Sequence, residues 1–120
     1  VAMLAGTPQA TWRARDALDG LVRDIRIDPA RRWSVAGMAQ RVGLSEKHFI
    51  RAFRQRYGTT PGQYQIGIRC ERAAFLLEQT REPVAAIAER LGYGDSATFC
   101  RQFRRQRGCS PGAWRGGARG

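Results

Sequence analysis

In 120 residues carrying 21 basic and 10 acidic side chains, a formal charge of +11, there is room for one compact domain or two very small ones. A hydrophobic fraction of 42% excludes a disordered chain, no apolar run approaches the length of a membrane span, and the opening VAMLAGTPQA lacks the basic leader expected of a signal peptide. Twenty of the basic residues are arginine, with Lys47 the only lysine, so the expected partner is anionic, nucleic acid first, because guanidinium forks onto phosphate oxygens and guanine edges.

Residues 1–10 are expected to be a tail or the remnant of a preceding linker, and a chain that starts with valine is expected to be a piece of a longer one. Ala14, Ala17, Leu18, Leu21, Val22 and Ile25 recur at helical spacing and predict an amphipathic helix, closed by Asp28-Pro29. Ser34 caps the next helix, with Val35, Met38, Ala39 and Val42 on one face and Gly43 as its stop. Ser45 caps a third, ending at Gly58, with Phe49, Ala52, Phe53 and Tyr57 inward; two helices joined by so short a glycine turn predict helix-turn-helix. Pro61 starts a long helix to about Thr80 with the stripe Tyr64, Ile68, Ala73, Leu76 and Leu77. A short helix from Pro83 carries Val84, Ile87, Ala88 and Leu91 and ends at Gly92; another runs from about Asp95 to Arg107 with Phe99 and Phe103 inward; Gly108 stops it and Ser110-Pro111 opens a final turn. No period-two apolar run occurs, so the predicted fold is all-α, about seven helices: a first helix-turn-helix subdomain over 11–60, a linker helix over 61–80, a second helix-turn-helix subdomain over 81–115 and a flexible Gly/Arg tail over 116–120.

Cys70, Cys100 and Cys109 are odd in number and form no CxxC pair, and the single histidine, His48, is far from them in sequence; they predict reduced thiols in a reducing cytoplasm, with Cys70 packed in a helix, and no metal or other cofactor. With one histidine and no phosphate-cradling glycine loop there is nothing to start a catalytic mechanism, so no enzyme is expected. Asp16, Asp19, Asp24 and Asp28 alternate with arginines and read as a solvated helix surface, while His48 reads as a packing or phosphate-adjacent residue.

The chain repeats itself. Val35, Ala36, Ala39, Arg41 and Gly43 recur as Val84, Ala85, Ala88, Arg90 and Gly92; after one inserted residue Phe49, Arg51, Phe53, Arg54, Gly58, Pro61 and Gly62 recur as Phe99, Arg101, Phe103, Arg104, Gly108, Pro111 and Gly112. The recurring apolar, glycine and proline residues explain a shared fold. The recurring arginines do not serve it. On a helical wheel, Phe49 inward turns Lys47, Arg51 and Arg54 outward with Ile50 and Gln55 at the margins, and the second copy sends Ala97, Arg101 and Arg104 outward with Thr98 and Arg105 beside them. A single arginine on such a face reads as ordinary solvation, whereas two matching faces in a duplicated unit predict a nucleic-acid surface. The second helix of a helix-turn-helix fits the major groove of B-form DNA, where Arg51 and Arg101 would fork onto guanine, Ile50 or Thr98 would meet a thymine methyl, and Lys47 sits near the helix start. Arg54, Gln55, Arg104 and Arg105 are expected on phosphates, joined by Ser34, Thr60 and Ser110 at helix starts.

FRQRYGTTPGQY with Arg69 and AAFLLEQT, and then VAAIAERLGYGDSATFCRQFRRQRGCSPGAW, resemble the AraC/XylS family of transcriptional regulators, the likeness running from about Trp33 to Arg115. It implies two helix-turn-helix subdomains on a linker helix that read adjacent major grooves of double-stranded DNA. By position it gives base reading to Lys47, Ile50 and Arg51 in the first unit and to Ala97, Thr98 and Arg101 in the second. Family members often hold a long polar residue at the place of Ala97, so the second unit is expected to specify less sequence than the first. The resemblance further implies a transcription activator in the bacterial cytoplasm, associated with the nucleoid, with RNA polymerase and an N-terminal effector-binding or dimerising domain as partners and no membrane. The alternative reading is an architectural or non-specific nucleic-acid-binding protein.

Overall fold

The computed structural model describes residues 2–117, with side chains from Arg13 onward. Seven helices occur among the described residues: α1 Ala2–Ile27, α2 Val35–Val42, α3 Glu46–Tyr57, α4 Pro61–Gln79, α5 Val84–Arg90, α6 Ser96–Arg107 and α7 Pro111–Arg115. The all-α expectation holds. α1 begins at Ala2, so residues 2–10, expected as a tail, carry helical backbone; Ala2, Met3, Leu4 and Ala5 are strong helix formers. At the other end Gly116 and Gly117 form a turn, and the remainder of the expected tail lies outside the described residues.

The helices start where short polar side chains satisfy free backbone amides. Ser34 Oγ accepts from Gly37 N at 2.9 Å, Ser45 Oγ from His48 N at 3.2 Å and Ser110 Oγ from Ala113 N at 3.1 Å, while Asp95 Oδ1 accepts from Thr98 N at 2.7 Å. The duplication extends to single hydrogen bonds. Leu44 N donates to Ala39 O at 3.0 Å to close the turn after α2, and Tyr93 N donates to Ala88 O at 3.0 Å after α5.

The chain forms two compact units, residues 1–27 with 33–63 and residues 28–32 with 64–120. In the first, Leu18, Leu21 and Ile25 of α1 are buried with Met38 and Ala39 of α2 and Phe49 and Phe53 of α3. Arg56 at the end of α3 grips Asp19 on α1 with two hydrogen bonds, Nε to Oδ1 at 3.2 Å and Nη2 to Oδ2 at 2.9 Å, and the Tyr57 hydroxyl donates to the same carboxylate. Arg41 on α2 pairs with Asp24 at 3.2 Å. Two of the acids read as solvation are therefore ties between helices.

In the second unit, Cys70, Ala73, Ala74, Leu76 and Leu77 of α4 form one core with Ile87, Ala88, Leu91, Tyr93, Phe99, Phe103 and Trp114. The helix expected as a linker thus packs, from Tyr64 onward, as part of this unit. Burial pushes the Cys70 thiol up to about 11, which keeps it protonated at neutral pH. Arg115 donates to Leu77 O at 3.2 Å and Thr80 O at 3.3 Å, satisfying carbonyls at the end of α4 that lack helical partners. The short segment Asp28–Arg32 also belongs here. Arg32 Nε donates to Gly92 O at 2.9 Å and its guanidinium lies 4.8 Å from the centre of the Tyr93 ring. Gly92 has φ of +83° and a Cβ on it would stand 2.5 Å from the Ala30 carbonyl oxygen, so both its conformation and its neighbour require glycine.

Candidate nucleic-acid interface

The two helices expected to read DNA are built alike. In α3 the rings of Phe49 and Phe53 are fully buried with centroids 5.8 Å apart, and in α6 Phe99 and Phe103 repeat that step at 5.8 Å. Anchoring two rings one turn apart fixes the rotation of each helix about its axis, and with it which residues face solvent. On α3 this exposes Lys47, Arg51, Arg54 and Gln55 and leaves Ile50 half-buried at the margin; on α6 it exposes Ala97, Arg101, Arg104 and Arg105 and leaves Thr98 half-buried. The outward Lys47, Arg51, Arg54, Ala97, Arg101 and Arg104 and the marginal Ile50 and Thr98 lie where the wheel places them, while Gln55 and Arg105, expected at the margins, are exposed.

Most of the charge on the faces is uncompensated. Arg41, Arg56 and Arg90 each pair with a carboxylate elsewhere in their own unit, whereas Lys47, Arg51, Arg54, Arg104 and Arg105 pair with none among the described residues. A cation without an internal partner has its full field available to an external anion. Ser34, Thr60 and Ser110 are N-terminal caps whose oxygens accept backbone N–H, from Gln63 N at 3.2 Å in the case of Thr60. Each hydroxyl proton remains free to be donated outward.

Two positions of the same register, Cys100 and His48, are absent from the faces drawn on the wheel, although His48 reads from the sequence as a packing or phosphate-adjacent residue. A shift of 50 residues maps α3 onto α6, so the counterpart of Ile50 is Cys100, likewise half-buried, and the counterpart of Thr98 is His48, which is exposed. His48 borders a cleft of about 550 Å³ in the first unit, lined also by Arg15, Leu18, Ala52, Gln55 and Arg56. The signal for both was present in the repeat, since aligning the copies residue by residue pairs them with positions already singled out. Among the described residues no group of histidine, cysteine and acidic side chains could hold a metal, and no helix is long and apolar enough to cross a membrane.

Comparison with known proteins bears on the same two units. A family model described as a helix-turn-helix domain matches residues 38–117. The RCS-specific HTH-type transcriptional activator RclR of Escherichia coli is 32% identical over 98 residues, 82% of this chain and 34% of the relative. Among solved structures, the DNA-binding domain of AdpA, a global transcriptional factor in complex with a target DNA, superposes with a TM-score of 0.79 at 32% identity, covering 83% of this chain and 90% of that one. A transcriptional regulator from Chromobacterium violaceum with an AraC-type DNA-binding domain gives 0.77 at 26% identity, covering 85% and 91%. The chain spans between 29% and 38% of the length of the curated relatives it matches.

Proposed function

Because the chain belongs to the AraC-type helix-turn-helix family of transcriptional regulators, we propose that it is a sequence-specific reader of double-stranded DNA that places α3 and α6 in two major-groove segments. The observation that carries this reading is the pair of exposed cationic faces, Lys47, Arg51 and Arg54 on one helix and Arg101, Arg104 and Arg105 on the other, five of these six residues having no acidic or other polar partner among the described residues. Arg51 and Arg101 fork onto guanine O6 and N7, with Lys47 and Ile50 beside the first and Ala97 and Thr98 beside the second. Arg54, Gln55, Arg104 and Arg105 hold phosphates, with the amides and hydroxyls at Ser34, Thr60 and Ser110 adding to the grip.

The name of the activator RclR supports an activating role, which makes RNA polymerase the protein partner. The relatives' greater length supports an effector-binding or dimerising domain in the rest of a longer protein, and membership of a DNA-binding family supports work in the cytoplasm at the nucleoid.

Selection of bound duplexes from a random pool, followed by footprinting, tests the reading. Two protected groove segments are expected, and protection of one alone would refute the two-unit mode. On the selected site Arg51→Ala and Arg101→Ala should each weaken binding by about 1 to 3 kcal/mol and relax preference at one position, while Arg54→Ala should weaken all sequences alike. Uniform weakening by all three would leave only the architectural, non-specific reading.

A further inference from the structure

The two reading helices hold their central arginines differently. In α6, Asp95 accepts the Thr98 backbone N–H at 2.7 Å through Oδ1 and receives the Thr98 hydroxyl proton at 3.2 Å through Oδ2. The Thr98 oxygen in turn accepts from Arg101 Nη2 at 3.2 Å. A threonine hydroxyl has one proton to give, and here Asp95 takes it, which orients a lone pair toward the arginine. The Thr98 amide and then its hydroxyl hold the Asp95 carboxyl below the usual carboxylate range, so the accepting end is ionised at neutral pH, and an ionised acceptor strengthens the whole chain.

In α3 the same register supplies none of this. Ser45 stands in place of Asp95 and gives one oxygen to the His48 amide, His48 stands in place of Thr98, and Arg51 makes no hydrogen bond or ion pair among the described residues.

We propose that Asp95 and Thr98 are specificity-determining positioning residues, a relay that pre-sets the Arg101 guanidinium for its base and makes the second unit the more stringent reader at that base pair. The proposal rests on the base-reading role given to Arg101 above. A flexible arginine reaches a wrong base or a phosphate almost as readily as its guanine, and binding must remove its rotamer freedom; one already tethered has less freedom to lose and fewer alternative contacts. The unit expected from Ala97 to be the weaker reader is thereby the stricter one at the Arg101 position.

The test uses the whole chain and duplexes carrying each of the four base pairs at the position that Arg101→Ala identifies. Thr98→Val keeps the methyl groups and shape but removes the hydroxyl, and Asp95→Asn keeps a capping oxygen but removes the charge. Both are expected to lower discrimination at that base pair by roughly three- to tenfold, with the melting temperature unchanged. Thr98→Ser, which retains the hydroxyl, should restore it. Installing the relay in the first unit, Ser45→Asp with His48→Thr, should sharpen discrimination at the Arg51 position by a similar factor. If Arg101→Ala relaxes the base pair while Thr98→Val does not, the relay is overturned and the reading role survives. If Arg101→Ala relaxes no base pair, the reading role itself falls and takes the relay with it.

Discussion

Gly43 and Gly92 stand at the same place in the two helix-turn-helix units, yet they are different problems for the chain. Both have left-handed backbones, φ of +78° and +83°, but a Cβ on Gly43 would meet nothing within 4 Å whereas one on Gly92 would press into the Ala30 backbone. Gly43→Ala should therefore cost only the conformational penalty, about 1 to 2 kcal/mol. Gly92→Ala should exceed that by at least about 1 kcal/mol, because the main chain of residues 28–32 has to move. Urea unfolding of the two variants measures the difference, and equal midpoints would mean that the segment yields without resistance. The glycines were legible in the sequence as punctuation. The inequality between them was not, because Ala30 lies 62 residues before Gly92 and leaves no periodic trace there.

At the scale of single helices the sequence carried most of what the structure contains. Caps at Ser34 and Ser45, helix starts at Asp95 and Ser110, the buried pairs Phe49/Phe53 and Phe99/Phe103, and the outward arginines all follow from local spacing, which a helix enforces without reference to the rest of the fold. Ties between helices did not. The grip of Arg56 and Tyr57 on Asp19 joins residues almost 40 positions apart, and nothing in the alternation of acids and arginines along α1 marks Asp19 as different from Asp16. Hydrogen bonds from Arg56 first, and then from Tyr57, lower the Asp19 carboxyl below its ordinary value of 3.8. A lowered folded-state value means that this tie contributes fully above the unfolded value and is lost as pH falls through the folded one, so the first unit should weaken in acid below about pH 4. Asp19→Asn should be less stable at neutral pH and should lose less on acidification. Thermal melts of both proteins between pH 7 and pH 3 check this, and parallel curves would show that the tie contributes nothing. The pair is about one-third exposed on each side, which keeps the expected effect modest.

Taken whole, the molecule places an excess of eleven positive charges on 120 residues and leaves those of the two reading helices largely without internal partners. If these cations displace the counterions of several phosphates, DNA affinity should fall by orders of magnitude between roughly 50 and 200 mM salt, with a steep linear dependence on the logarithm of salt concentration. Titration of a selected duplex at four or five salt concentrations gives the slope. A flat response would mean that the exposed arginines do not meet the backbone, and Arg54→Ala should flatten it by about one phosphate's share. The segment Asp28–Arg32 has a bearing on how such a protein can be taken apart. It belongs with the second unit although the stretches on both sides of it belong to the first, so the polypeptide passes from one unit to the other three times. One scission cannot release two intact pieces: a fragment starting at Tyr64 leaves behind the arginine that covers Tyr93 and the backbone that abuts Gly92. Any graft that exchanges the C-terminal half between relatives must carry that pentapeptide along with it, at three breakpoints instead of one.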